Sequence, residues 1–449
     1  MNNFILRDHT GEIIYHDGQT GHLVRSSGKT SSLEIRPVYY DGSSLKIIRD
    51  GSFVPLEQFH VRQEEVASGI ERISISQNGF FGASLPGVWQ LHFNRTVVAG
   101  WETFRCEEYP FDNSQRDFAQ ETWLSAHDGT LHKKSSIIVT DNGFFISDIY
   151  YDILENKKSL EALFNNKNEI TLTRGLSTER YIRYNPLIYF VAFGSDEQKE
   201  MVAASIHSLI HIGHYNGNLC IITDRDDMKS VVPDDFPGTL HIIKASAQSR
   251  IEMWKARYSI CDFSFSKNYQ PILYMDTDIV CNNQIDHLLS GILTSSKICI
   301  GTEDHPGVII IPSRYRESDA VGKTLFETDN FYPASEYGFN SGIIGFSTVS
   351  VAQVAFHAVS NAINRMLQLG MTEGWVDQAV LNYVLHKYGC VDETFLSPKI
   401  GVGTGGDTFP YVTASAPSVL IHFWSTHAHE RLPRIKKYIE ERLREVSER

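Results

Sequence analysis

A buried strand that runs into two acids dominates this sequence: Pro271-Ile272-Leu273-Tyr274-Met275-Asp276-Thr277-Asp278-Ile279-Val280. The first five residues are mostly apolar, the habit of a strand covered on both faces in a parallel sheet. The carboxyl end of such a strand is where open α/β sheets bind ligands. Asp276 and Asp278 are separated by one residue, so a bend there turns both carboxylates toward one cation. Oxygen ligands suit Mg²⁺ or Mn²⁺, ions that keep waters and take substrate phosphates as further ligands. The stretch points to a metal that holds a diphosphate. A second copy of the pattern, Asp224-Arg225-Asp226, follows Leu219-Cys220-Ile221-Ile222 but continues as Asp227-Met228-Lys229. It reads as a solvated polar loop.

The surrounding pattern places that strand in an α/β domain. Leu187 to Phe193, Leu219 to Thr223 and Leu240 to Ile243 are apolar runs of strand length. Between them, Met201 to Ile212 has helical periodicity, and Glu252 to Phe263 follows as a second helix. Such alternation implies parallel strands with helical crossovers. Before about residue 165 the pattern differs. Short apolar runs alternate with Asp17-Gly18, Asp41-Gly42, Asp50-Gly51, Asn78-Gly79, Asp128-Gly129 and Asn142-Gly143, the turn chemistry of an all-β barrel or sandwich. There is an internal echo: Ile73 to Phe81 parallels Ile137 to Phe145. Leu56-Glu57-Gln58-Phe59, Trp101-Glu102-Thr103-Phe104 and Leu160-Glu161-Ala162-Leu163 form a second echo, as expected of a three-fold barrel. The division expected is 1–180 for the β module with its connector and 181–449 for the α/β domain.

The stretch from Ile73 to Phe104, with Asn78-Gly79-Phe80-Phe81, Asn94-Arg95 and Trp101-Glu102-Thr103-Phe104, resembles a fascin-like β-trefoil repeat. That resemblance implies a module that binds carbohydrate or protein.

The α/β half, from about 187 to 432, resembles the glycogenin and lipopolysaccharide-galactosyltransferase family, retaining family 8 glycosyltransferases of the GT-A fold, a Rossmann-like mixed sheet. Six motifs carry the resemblance in order. Asp196, in Gly194-Ser195-Asp196-Glu197, falls where the family contacts the nucleotide base; it fits a helix N-cap equally. The family's Tyr two residues later is Gln198 here. Lys255 or Arg257, two residues apart and so on different helix faces, supplies the donor-binding cation. In Asp276-Thr277-Asp278 the resemblance implies that both acids bind the divalent ion and that Asp276 also meets the ribose. Asn340 and Ser341, within Gly338-Phe339-Asn340-Ser341-Gly342, lie near the donor sugar. The resemblance implies that Asp377 binds a sugar hydroxyl and that Gln378 lies beneath the anomeric carbon; a first-turn carboxylate such as Asp377 is also favoured by the helix dipole alone. His422, in Ile421-His422-Phe423-Trp424, completes the metal site, and a nitrogen ligand beside two carboxylates suits Mn²⁺. Beyond it the chain departs from the family: Ser425 and Ala428 replace a Gly and a diphosphate-binding Lys, leaving Arg431 or Arg434 to substitute.

The resemblance implies a metal-dependent (Mn²⁺ or Mg²⁺) retaining transfer of a hexose from a UDP-sugar to a glycan, lipid-linked sugar or protein hydroxyl. Two other readings remain at this stage: a non-catalytic sugar-binding scaffold and a sugar nucleotidyltransferase. The latter wants a basic glycine-rich loop after the first strand, where this chain has Ser195-Asp196-Glu197. A formal charge of −13 argues against a nucleic-acid partner. No run is long and apolar enough for a membrane span, the first residues show no signal-peptide core, and the six cysteines form no C-x-x-C pair. The expectation is a cytoplasmic protein with reduced thiols; homo-oligomerisation is left open.

Overall fold

The protein is described from a computed structural model. The described residues are 4–10, 12, 14–18, 20–25, 35–40, 42–49, 52–64, 72–85, 90–98, 102–108, 122–126, 129–132, 137–140, 143–146, 149–152, 155–156, 159, 168–174, 177–302, 314–369, 376–403, 418–424 and 428–447. They form two compact units, Met1–Arg183 and Tyr184–Arg449.

Strands dominate the described residues of the first unit, and every pairing between those strands is antiparallel. Its largest sheet has nine strands. Phe4–Arg7 pairs with Thr103–Glu108 on one side and with Tyr39–Tyr40 on the other, so the start and end of a hundred-residue segment lie side by side. Asn78-Gly79 makes the tight hairpin its residue types demand: φ is 54° and 81°, and Gln77 pairs with Phe80. The echoed segment forms a hairpin too, Ile137–Thr140 against Gly143–Ile146, but in a separate three-stranded sheet with Ile149–Asp152. The two copies therefore share a local structure and not a common sheet. Leu56, Phe59 and Phe104 of the second echo are buried in one core with Leu6, Ile73 and Ile75. Trp101, Asn142 and Leu160-Glu161-Ala162-Leu163 lie outside the described residues.

The second unit begins with β1 (Leu187–Ala192), α1 (Asp196–His211), β2 (Asn218–Thr223), β3 (Leu240–Lys244), α2 (Arg250–Lys255) and β4 (Ile272–Met275). Then come β5 (Ile279–Cys281), α3 (Asp286–Thr294), β6 (Ile298–Thr302), α4 (Lys323–Thr328), β7 (Phe339–Phe346), α5 (Val349–Gln368) and α6 (Val376–Tyr388). The chain finishes with β8 (Val391–Asp392), β9 (Ile400–Val402), β10 (Leu420–His422) and α7 (Ala428–Ser447). The main sheet runs β3-β2-β1-β4-β7-β6-β8. Its first four strands are parallel, as the alternating pattern implies. β7 runs antiparallel to both β4 and β6 and makes the sheet mixed. One hydrophobic cluster lies on the α1, α3 and α7 side and another on the α2, α5 and α6 side, so β4 is buried on both faces.

α1 starts where Ser195, not Asp196, caps it: the Ser195 hydroxyl accepts from the Gln198 backbone N–H at 3.3 Å, and Asp196 and Glu197 sit in the first turn. This helix fixes the chain just past the acids. Ser205 Oγ donates to Ile279 O (2.6 Å), and Ser208 Oγ accepts from Cys281 N–H (3.0 Å). From the other side, Tyr438 and Arg442 of α7 donate to Asn282 Oδ1 and Asn282 O, both at 2.9 Å. The six cysteines, all among the described residues, are thiols and form no disulfide. Among the described residues no helix is long and apolar enough to cross a membrane.

Candidate active site

The site is assembled where β4, β5, β7 and β10 meet. Asp276 follows β4 directly, and its backbone N–H donates to Gly342 O of β7 at 2.8 Å. β5 then pairs antiparallel with β10, with Ile279 opposite His422, and Phe423 N–H donates to Asp278 O at 3.0 Å. That register carries His422 across to the acids. One ligand atom from each of Asp276, Asp278 and His422 lies within 4.8 Å of the others.

The cluster fits a cation on two observations. Asp278 Oδ1 is buried, accepts no hydrogen bond of good geometry, and faces His422 Nε2 at 3.2 Å. The cradle also has no room for a side chain at residue 342: a Cβ on Gly342 would lie 2.7 Å from Asp276 Oδ2 and 2.8 Å from His422 Cε1. Asp276, Asp278 and His422 would hold the ion, a carboxylate and imidazole set suited to a divalent metal. Burial by itself would raise the Asp278 pKa; the His422 imidazole and then Arg431 outweigh it and hold the carboxyl below its usual range.

A second group of side chains is organised by Arg257. It is almost fully buried and lies over the Tyr274 ring at 4.9 Å. Its Nη2 is 3.7 Å from Asp276, and its Nη1 is 3.5 Å from Asp377 and donates to Ser341 O at 2.7 Å and Ser341 Oγ at 3.0 Å. Burial alone would lower the Arg257 pKa, but Tyr274, Asp276 and Asp377 reverse this, so the guanidinium is held firmly charged. Tyr274 donates to Asp276, in a bond that joins the strand to its own acid. Ser341 Oγ donates to Asp377 at 3.4 Å and Ser341 N–H to Gln378 Oε1 at 3.2 Å. Burial pushes the Asp377 carboxyl above its usual range, with Arg257 opposing. Asn340 Oδ1 accepts from Gly342 N–H at 2.6 Å, and a Cβ on Gly342 would meet it at 2.7 Å.

The structure thus brings together Asp276, Asp278, His422, Arg257, Asn340, Ser341, Asp377 and Gln378. It does not bring Lys255 there. α2 ends at Lys255 and a tighter 3₁₀ turn, Ala256–Asp262, takes over. Lys255 Nζ donates to Asn364 Oδ1 of α5 at 2.8 Å, while Arg257 turns inward. Asp196 has an exposed side chain and pairs with Arg225 at 2.7 Å. Arg225 also donates to Gly194 O and chelates Asp227, so the second Asp-x-Asp copy is an ion-paired loop. Asp226 is solvated apart from Lys244. Gln198, which replaces the family's Tyr, accepts from Thr277 Oγ1 at 3.0 Å and ties the first turn of α1 to the acidic loop. Two participants escape sequence reasoning. Tyr274 looks like an ordinary strand aromatic, and Arg431, entertained only as a phosphate ligand, lies 2.9 Å from Asp278 Oδ2. Residues 404–417 and 425–427 lie outside the described residues.

This domain is that of a glycosyltransferase. The family model that matches it is described as glycosyl transferase family 8 and spans residues 243–426, from the end of β3 to just past β10. The match supports a retaining enzyme and implies a GT-A type α/β fold. No curated protein matches the chain in sequence.

Proposed function

We propose that the chain transfers a hexose from a UDP-sugar, with a divalent cation, Mn²⁺ before Mg²⁺, held by Asp276, Asp278 and His422. The observation that carries this is the junction of that cluster with Asp377 and Gln378 through one buried arginine, Arg257. When bound, the cation supplies Lewis-acid stabilisation to the departing diphosphate. The residues around it do the positioning. Arg257 keeps Asp276 and Asp377 apart yet oriented, and Ser341 fixes the Gln378 amide from its backbone N–H. Asp377 is aimed to accept from a donor-sugar hydroxyl. Gln378 is a neutral amide whose oxygen is already engaged, a poor nucleophile. Attack by the acceptor on the leaving-group face, its proton passing to the departing phosphate oxygen, therefore suits this site better than a covalent intermediate.

In the same reading the first unit is a β-trefoil-like module that recruits a carbohydrate, lipid-linked or protein acceptor. Supporting it are the closing pair Phe4–Arg7 with Thr103–Glu108 and the hairpin insertions between paired strands, all within residues 4–108. Incubation with a panel of nucleotide-sugars and Mn²⁺, following free nucleotide, tests the function. UDP release from one UDP-sugar is expected. Binding of sugar with no release from any donor would favour a scaffold, and pyrophosphate exchange would favour a nucleotidyltransferase.

A further inference from the structure

Both oxygens of Asp278 are engaged by cationic or ionisable side chains. His422 Nε2 faces one at 3.2 Å and Arg431 Nη1 the other at 2.9 Å. Arg431 comes from the first turn of α7 and reaches inward from the surface: its side chain is 25 % exposed, that of Asp278 8 %. The neighbouring cations of this helix are committed elsewhere, Arg434 to Glu430 at 2.8 Å and Lys436 to Glu200 at 2.6 Å. A divalent cation placed on Asp278 would face the Arg431 guanidinium across one buried carboxylate, and the two positive charges repel where little water screens them. A diphosphate beside the cation offers the guanidinium a better partner, one its planar fork can grip with two hydrogen bonds.

We propose that Arg431 is a resident competitor of the divalent cation, neutralising Asp278 in the empty site and passing to the donor diphosphate when cation and nucleotide bind together. Cation alone must then displace an ion pair with no diphosphate present to receive the guanidinium, and binds weakly. Nucleotide supplies that partner, so each ligand strengthens the other by the same factor. α7 stays anchored to Asn282 through Tyr438 and Arg442, so only the Arg431 side chain has to change partners. The inference rests on reading the cluster as a cation site for a nucleotide-sugar diphosphate.

The test uses the full chain, with free Mn²⁺ followed by electron paramagnetic resonance, with and without UDP. Arg431→Gln should bind Mn²⁺ alone about tenfold more tightly than wild type, and UDP should then strengthen Mn²⁺ binding about tenfold less than in wild type. Arg431→Lys, which keeps the charge but loses the fork, should fall between. Arg434→Gln removes the same charge one turn on and should change neither quantity. Unchanged Mn²⁺ affinity in Arg431→Gln overturns the competition, and unchanged coupling overturns the passage to diphosphate. An equal effect from Arg434→Gln overturns both, since general charge would then suffice. Wild-type protein that binds neither Mn²⁺ nor UDP overturns the underlying reading of the site; wild type that couples them while Arg431→Gln couples them equally overturns this inference alone.

Discussion

Two buried carboxylates of the site, Asp278 and Asp377, behave in opposite ways. Asp278 is held below its usual range, where His422 and Arg431 outweigh its burial, and Asp377 above it, where burial outweighs Arg257. The signs give separable predictions. A depressed folded pKa contributes stability above the unfolded value near 3.8, lost as pH falls through the folded value. Asp278→Asn should therefore be less stable than wild type at pH 7 in urea unfolding, with the gap closing below pH 3.8. It should also lower donor turnover by at least about a hundredfold, the scale of a lost metal contact. A raised folded pKa works the other way: its stabilising contribution is complete below 3.8 and vanishes as pH rises through the folded value. Asp377→Asn should be at least as stable as wild type at pH 7, while kcat falls by about a hundredfold or more. A loss of stability at pH 7 would show that its ion pair with Arg257 outweighs its burial.

At the level of elements, the site depends on how α6 is pinned to β7. Asn382, one turn beyond Gln378, is fully buried; its amide donates to Phe339 O and Gln378 O, and its carbonyl accepts from Phe339 N–H and Tyr315 Oη. Those bonds set the register between the helix bearing Asp377 and Gln378 and the strand bearing Ser341. Asn382→Ala leaves a buried strand N–H and C=O without partners and should cost about 2–3 kcal/mol in denaturant unfolding. It should also lower kcat more than it raises KM for the donor, because misplacing Gln378 harms the transition state. A variant with full stability would mean that water replaces the amide.

For the whole molecule, the described residues of Tyr184–Arg449 contain all the side chains gathered at the site and both faces of its core. A chain beginning at Tyr184 should fold and bind UDP with Mn²⁺, checked by thermal unfolding and calorimetry. It should hydrolyse donor slowly, since water can take the place of an acceptor. If the first unit recruits the acceptor, KM for a large acceptor should rise with little change in kcat, because remote binding acts equally on ground and transition states. An unchanged KM would assign the β unit another role; an insoluble chain would make it part of the catalytic fold.

Local pattern was enough to mark β1 to β4, α1 and the acids that close β4, because burial on two faces leaves an apolar run and the end of the strand leaves charges behind it. The expected helix from Glu252 to Phe263 is instead α2, Arg250–Lys255, followed by a 3₁₀ turn. It was also enough for the Asn78-Gly79 hairpin, whose φ values only a few residue types accept. It singled out Asp276, Asp278, His422, Asp377 and Gln378 one by one, by resemblance. Their convergence needed the pairing of β5 with β10, which joins residues far apart in the chain and has no local signature. Which of Lys255 and Arg257 faces the acids turned on a switch from α to 3₁₀ winding, a change of direction that periodicity does not record. The place of Arg431 depended on the docking of α7 onto Asn282, and so on tertiary contacts that position a charge without altering the pattern around it.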